Sequence, residues 1–244
     1  LVDEQMAKND IDHIRTILEK LNRLDLFVKE IHFSSVFKDT ILDSEWLLKK
    51  SFSPRGGAAS YSLLYLIYRI LNEVHPEKIL EIGMGQTTKM IAQYSKYYGK
   101  KHVVVESDID WINAFKSNNG DIIGDNTVFA NLPTTMIQYD GESVRVYDRF
   151  ESVVDDYDFI VIDGPFGGDM KKYSRIDVLL NAGMITENTI IIVDDFERVG
   201  EMNTVNAIID KMKTMNKNMK RYVYHGMKQQ VIIAHENKRF LGWL

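Results

Sequence analysis

Two strand-length runs close the chain, Arg221–Tyr224 and Gln230–Ala234, with only a short loop around Gly226 between them. So short a connection has no room for a crossover helix, so these strands must run antiparallel. Upstream, strand-like and helix-like runs alternate. Lys78–Ile82 reads as a first strand, Thr87–Tyr97 as a helix, His102–Glu106 as a second strand and Asp108–Ser117 as a helix. Thr135–Tyr139 reads as a third strand, Phe159–Asp163 as a fourth, Lys172–Leu180 as a helix, Thr189–Asp194 as a fifth strand and Glu201–Met215 as a helix. Such alternation predicts an α/β fold, a doubly wound and mostly parallel sheet covered on both faces, closed by the antiparallel hairpin.

Residues 1–50 lack any strand-like run, whereas Ile14, Ile17, Leu18, Leu21 and Leu24 recur at helical spacing behind Asp10 and Asp12. That apolar stripe serves either the domain itself or a partner subunit, which makes a homo-oligomer through the N-terminal helices an expectation. Turn-rich Ser51–Gly57 ends the segment, and Ala58–Val74 reads as a helix stopped by Pro76. The expected division is a helical appendage and covering loop, 1–57, ahead of a domain, 58–244. At 244 residues and 45% hydrophobic content, the chain can bury one sizeable core.

With no cysteine, disulfides and thiolate chemistry are excluded and a reducing, cytoplasmic location is expected. A net charge of −5 without a basic stripe argues against nucleic acid as a partner. The longest apolar runs, Thr189–Val193 and Val231–Ala234, are far too short for membrane insertion.

The first strand runs into Glu81-Ile82-Gly83-Met84-Gly85-Gln86-Thr87, and the second ends on Glu106. A strand, a Gly-x-Gly turn and a helix let backbone N–H groups approach a ligand, and an acid some twenty residues on can grip a ribose. Glu81-x-Gly83-x-Gly85, Glu106 and the terminal hairpin together resemble the class I S-adenosylmethionine (SAM)-dependent methyltransferases. The resemblance implies a Rossmann-like sheet of strand order 3-2-1-4-5-7-6. It implies that Glu81, Gly83, Gly85, Gln86 and Thr87 line the methionine side of the cofactor, that Glu106 accepts from the ribose hydroxyls, and that Asp140 lies near the adenine, with Asp163 at the reacting end. The family's third glycine is replaced by Thr87. An NAD-dependent oxidoreductase shares the acid on strand two, but its third glycine is missing at Thr88; a non-catalytic nucleoside-binding module is the remaining alternative.

Strand four ends Ile162-Asp163-Gly164-Pro165 and strand five Val193-Asp194-Asp195. Adjacent strands lie about 4.8 Å apart, so Asp163 and Asp194 are expected as neighbours on the ligand-binding edge. Carboxylates that close raise one another's pKa unless a cation compensates, and a hard divalent ion such as Mg2+ is the simplest compensator. This pattern resembles the metal-dependent O-methyltransferases of the catechol and caffeoyl-coenzyme A type, which implies metal ligation by Asp163, Asp194 and Asp195. Glu106-Ser107-Asp108-Ile109-Asp110-Trp111-Ile112 with Asp163-Gly164-Pro165 is also similar to the glucuronoxylan 4-O-methyltransferase-like, or polysaccharide biosynthesis, group. The implied reaction is methyl transfer from SAM to a hydroxyl of a carbohydrate, glycan precursor or other small molecule, with a metal at the aspartates holding the oxygen and lowering its pKa, or Asp163 or Asp194 acting as general base. Arg55, Lys171 and Tyr173, on flanking loops, are the substrate-binding candidates.

Overall fold

The computed structural model describes residues 2–53 and 58–244, with side chains from residue 11 onward. Nine strands are distributed over two sheets among the described residues. The large sheet contains β1 (Lys78–Ile82), β2 (Lys101–Glu106), β3 (Thr127–Asn131), β6 (Phe159–Ile162), β7 (Ile190–Val193), β8 (Met219–His225) and β9 (Gln229–His235). Its spatial order is β3-β2-β1-β6-β7-β9-β8; counted within this sheet alone, that is 3-2-1-4-5-7-6. All pairs from β3 to β7 are parallel, and β9 joins both β7 and β8 antiparallel. The topology is the one expected. It differs from the all-parallel 3-2-1-4-5-6 order of dinucleotide-binding dehydrogenases by the inserted antiparallel strand.

Register explains how the sheet builds one functional edge. Ile82 pairs with Val105 and with Ile162, and Ile162 pairs with Val193. The next residues along these strands, Gly83, Glu106, Asp163 and Asp194, therefore emerge side by side. Since β9 runs the other way, its first residues and the turn before it arrive at that same edge.

Helices α3 (Gln86–Tyr98), α4 (Ile109–Asn119), the single turn α5 (Asp177–Leu180) and α6 (Val199–Thr214) connect the strands. Strand residues alternate between two cores. Ile79, Phe159, Val161, Ile190 and Ile192 face α2 (Tyr61–Val74), whereas Leu80, Ile160, Ile162 and Ile191 face the layer containing α5 and α6. Burying each such side chain is worth about 1.5–3 kcal/mol. Helix α2 starts at Tyr61, later than expected, because Ser60 caps it by accepting from the Leu63 N–H.

The N-terminal segment divides by burial. Helix α1 (Val2–Thr40) places Phe37 in the α2 core together with Ile41, Trp46, Leu47 and Phe52 of the following segment. Ile14, Ile17, Leu18, Leu21 and Leu24 are all more than half exposed. No described helix is long and apolar enough to cross a membrane.

Two expected elements differ. The third strand of the sheet is Thr127–Asn131, not Thr135–Tyr139; the latter falls within β4 (Thr134–Tyr139), which pairs only with β5 (Glu142–Tyr147) as a separate hairpin. Its turn residues, Asp140 and Gly141, both have positive φ, 49° and 78°, as a tight two-residue hairpin turn requires. The helix expected over Lys172–Leu180 is reduced to Asp177–Leu180, because Arg175 adopts left-handed backbone, φ 56°.

Candidate active site

The strand tips border a cleft of about 520 Å3 lined by Gly83, Met84, Glu106, Ser107, Tyr147, Asp163, Phe166, Arg175, Asp195, Arg198 and Lys228, among others. That volume is within the range of small-molecule sites. A larger recess of about 970 Å3 lies between α6 and β8. It is open and lined by Lys213, Lys217, Lys220 and Arg221, which suits protection of an edge strand by charge rather than ligand capture.

The glycine turn is built by close packing. Gly83 has φ 91°, and a Cβ there would lie 2.7 Å from the Asp163 carbonyl oxygen; one on Gly164 would lie 2.8 Å from the Tyr147 hydroxyl and 2.9 Å from Gly83 Cα. These two glycines let the β1 and β6 tips touch. A Cβ on Gly85 would meet nothing within 4 Å, so this position leaves room for a ligand. Glu106 binds the same turn from the other side. Its Oε2 accepts from Met84 N–H at 3.2 Å, and its Oε1 from the N–H groups of Ser107 at 2.7 Å and Asp108 at 3.0 Å. Asp108 caps α4, accepting from Asp110 and Trp111 N–H, and the Trp111 indole N–H donates to the Met84 carbonyl at 3.1 Å. The run from Glu106 to Trp111 is thus a clamp on the Gly-x-Gly loop.

Other cofactor candidates are placed elsewhere. Glu81 alternates with Ile79 onto the helix-covered face and is fully buried; it accepts from the Thr87 and Thr88 hydroxyls and pairs with His102 at 2.9 Å. It anchors the start of α3 and does not line the cleft. Thr87 is buried with it, and the Gln86 side chain accepts from Ser53 N–H at 3.4 Å. Asp140, expected beside the adenine, sits at the β4–β5 turn because the third strand lies elsewhere, and it pairs with Lys172 at 2.8 Å. Tyr173 donates to Asp140 at 3.3 Å, and Lys171 is exposed; neither reaches the cleft lining. Arg55 lies outside the described residues.

The aspartates do converge. Asp163, Asp194 and Asp195 offer carboxylate oxygens within 4.8 Å of one another. Cations of the chain already hold them. Lys228, from the β8–β9 turn, places Nζ 3.0 Å from Asp194 Oδ2 and 3.0 Å from Asp195 Oδ1. Arg175 Nη2 lies 2.8 Å from Asp195 Oδ2 and 3.3 Å from Asp163 Oδ1, and Arg198 Nη1 2.9 Å from Asp195 Oδ2. Gln230 donates to the remaining Asp194 oxygen at 2.9 Å. Both Asp194 oxygens are therefore occupied, and its fully buried side chain stands behind Lys228, outside the cleft lining. Asp194, expected as a catalytic residue, thus contacts Lys228 and Gln230 rather than the cleft.

Charge balance sets the protonation states. Burial, then the neighbouring Asp194, push the Asp163 carboxyl up to about 7, against the pull of Arg175 and Lys228. For Asp195 burial is the largest influence and works upward, yet Arg175, Lys228 and Arg198 together hold its carboxyl below the usual range. Burial works downward on the Lys228 ammonium, but Asp194, Asp163 and Asp195 raise it overall, so it remains a permanent cation. Asp163 is one-fifth exposed and opens onto the cleft. Its carboxyl is thus poised to exchange a proton near neutrality at the cleft surface.

A divalent ion would need the oxygens that Lys228 and Arg175 occupy. As arranged, the residues do not fit a metal; Lys228 supplies the compensating charge. Sequence reasoning misses Lys228 and Tyr147, and expects Arg175, in the loop after strand four, at the surface, whereas the structure buries it. Lys228 was accessible through topology, since an antiparallel β9 brings its preceding turn to the strand tips. Arg175 had no such signal, because its burial depends on a left-handed residue in an irregular loop.

No protein-family model and no curated protein matches the sequence. Among solved structures the chain is similar to a SAH-bound methyltransferase from Podospora anserina, with 15% identity over 85% of this chain and 88% of that one at TM-score 0.47. It is also similar to an O-methyltransferase from Bacillus cereus in complex with SAH, at 16% identity over 86% and 91% of the two chains and TM-score 0.45. A precorrin-6y C5,15-methyltransferase from Geobacter metallireducens matches at 10% identity over 75% and 92%, TM-score 0.47. The fold assignment rests on strand order and register.

Proposed function

We propose that the chain is a SAM-dependent O-methyltransferase acting on a hydroxyl of a carbohydrate, glycan precursor or similar small molecule. The supporting observation is that Glu106 and Asp163 open onto one cleft on either side of the Gly83–Met84 turn. Bound there, SAM supplies an electrophilic methyl group. Glu106 Oε1 is held by the Ser107 and Asp108 N–H groups, and Oε2, which accepts only from Met84 N–H, is the oxygen offered to a ribose hydroxyl. Gly83, Met84 and the open space at Gly85 admit the methionine portion.

Asp163 accepts the proton of the acceptor hydroxyl as its oxygen attacks. Arg175 holds the Asp163 carboxyl in place, and Asp194 and Asp195 fix Lys228, whose charge favours a developing alkoxide. Lys228 itself cannot act as base. Phe166 lines the cleft with 69% of its surface exposed, a platform for one face of a ring. Arg145 fixes this loop, donating to the Phe166 carbonyl at 2.6 Å and to both oxygens of Asp169 at 2.8 Å.

Transfer of labelled methyl from SAM to a panel of saccharide and phenolic acceptors tests this reading. Turnover that survives chelator and is lost in Asp163→Asn supports it. Chelator-abolished turnover, or a fully active Asp163→Asn enzyme, contradicts the Asp163 mechanism. Transfer to no hydroxyl acceptor contradicts the O-methyl assignment.

A further inference from the structure

Helix α1 carries two apolar faces. The domain covers only one of them. Glu30 Oε1 accepts from Tyr61 N–H at 2.8 Å, Phe33 packs on Tyr65, and Phe37 packs on Phe52 and Tyr61. Upstream, Ile14, Ile17, Leu21, Leu24, Val28 and Ile31 alternate at spacings of three and four residues, each 55–69% exposed. That is a heptad repeat with Ile14, Leu21 and Val28 at a and Ile17, Leu24 and Ile31 at d. In this frame Glu30 and Phe37 occupy c and Phe33 occupies f, on the side of the helix opposite the seam. The domain therefore leaves the seam free along its length.

We infer that this seam pairs with the same seam of a second copy in a parallel two-stranded coiled coil. The a and d residues run over about two and a half heptads and Leu18 and Phe27 flank them at e and g, an apolar stripe that a second copy of the same helix covers. Charge complementarity sets the orientation. Lys20 stands at g and Asp25 at the following e, and a parallel pair sets each g beside the next e of the partner helix, matching Lys20 with Asp25 twice. An antiparallel pair with Leu21 against Leu24 instead sets Lys20 against Phe27 and Asp25 against Leu18. Within its own helix Asp25 already contacts Lys29 at 2.6 Å, so the pair with Lys20 selects orientation more than it adds strength.

Sedimentation equilibrium of the full chain tests the pairing. The wild type is expected at twice the chain mass at micromolar concentration. Leu21→Glu/Leu24→Glu is expected at the chain mass with the thermal transition of the domain unchanged. Because the chain has no cysteine, Leu24→Cys offers a single thiol, and mild oxidation is expected to cross-link most of the protein through two identical d positions. A monomeric wild type, including one that binds anionic vesicles instead, overturns the inference. So does a dimer that survives the double substitution. Failure of Leu24→Cys to cross-link overturns the parallel arrangement.

Discussion

Lys228 Nζ stands 3.0 Å from Asp194 Oδ2, with the aspartate side chain fully buried and the lysine 14% exposed. An ammonium group thus takes the place expected for a divalent ion among the acidic strand tips. Removing one partner of a buried pair leaves the other charge uncompensated, at a cost of about 3–5 kcal/mol. Lys228→Met is therefore expected to lower the melting temperature and abolish methyl transfer. The same variant frees one oxygen each of Asp194 and Asp195, beside Asp163, so calorimetry should detect Mn2+ binding that the wild type lacks. Equal Mn2+ binding by both proteins would contradict the assignment.

Asp163 must be ionised to accept a proton, and its carboxyl is pushed up to about 7. The rate should accordingly rise with pH through about 7 and level off above it. Asp163→Asn is expected to lower kcat by about 10^2- to 10^4-fold. A rate that is flat from pH 5 to 9 would remove Asp163 from the role of base.

Asp177 tests the linkage of burial to stability. Its side chain accepts from Tyr147 N–H at 2.8 Å, and burial pushes its carboxyl up to about 7. Between the ordinary carboxylate range and about 7 the folded form holds a proton that the unfolded chain has released. Stability from this group is complete at low pH and is lost as pH rises through about 7. Asp177→Asn keeps the acceptor and removes the titration. Melting curves at pH 5 and pH 8 should show the variant gaining on the wild type at the higher pH; no difference between the two pH values would count against a raised Asp177.

Phe166 is the exposed apolar face of the cleft, and ring stacking is worth about 0.5–1.5 kcal/mol. Phe166→Ala is expected to raise KM for a cyclic acceptor about three- to tenfold and leave kcat near its original value. Steady-state kinetics resolves the two effects, and an unchanged KM would exclude stacking on this side chain.

The sheet was legible because its evidence is local. A loop as short as that around Gly226 forces antiparallel strands, and apolar runs ending in Glu106, Asp163 and Asp194 place acids at one edge through register alone. The third strand was misplaced because Thr134–Tyr139 has strand character without being in the main sheet. Asp140-Gly141, flanked by alternating residues, carried the hairpin signal that distinguishes it. Glu81 illustrates a different limit. Its motif position points to a ligand, but strand alternation turns it toward Thr88 and His102. The compensation of the acids by Arg175 and Lys228 was hidden because it joins an irregular loop to a turn distant in sequence. Charges separated by such distances along the chain acquire their relationship only through the finished topology.

Calorimetric titration of SAH against the wild type and Glu106→Ala, with NAD as the competing ligand, tests the central claim most directly. The account predicts saturable SAH binding at one site per chain, weakened about tenfold or more in Glu106→Ala, and no comparable binding of NAD. Binding of NAD without SAH, or SAH binding indifferent to Glu106, would contradict it.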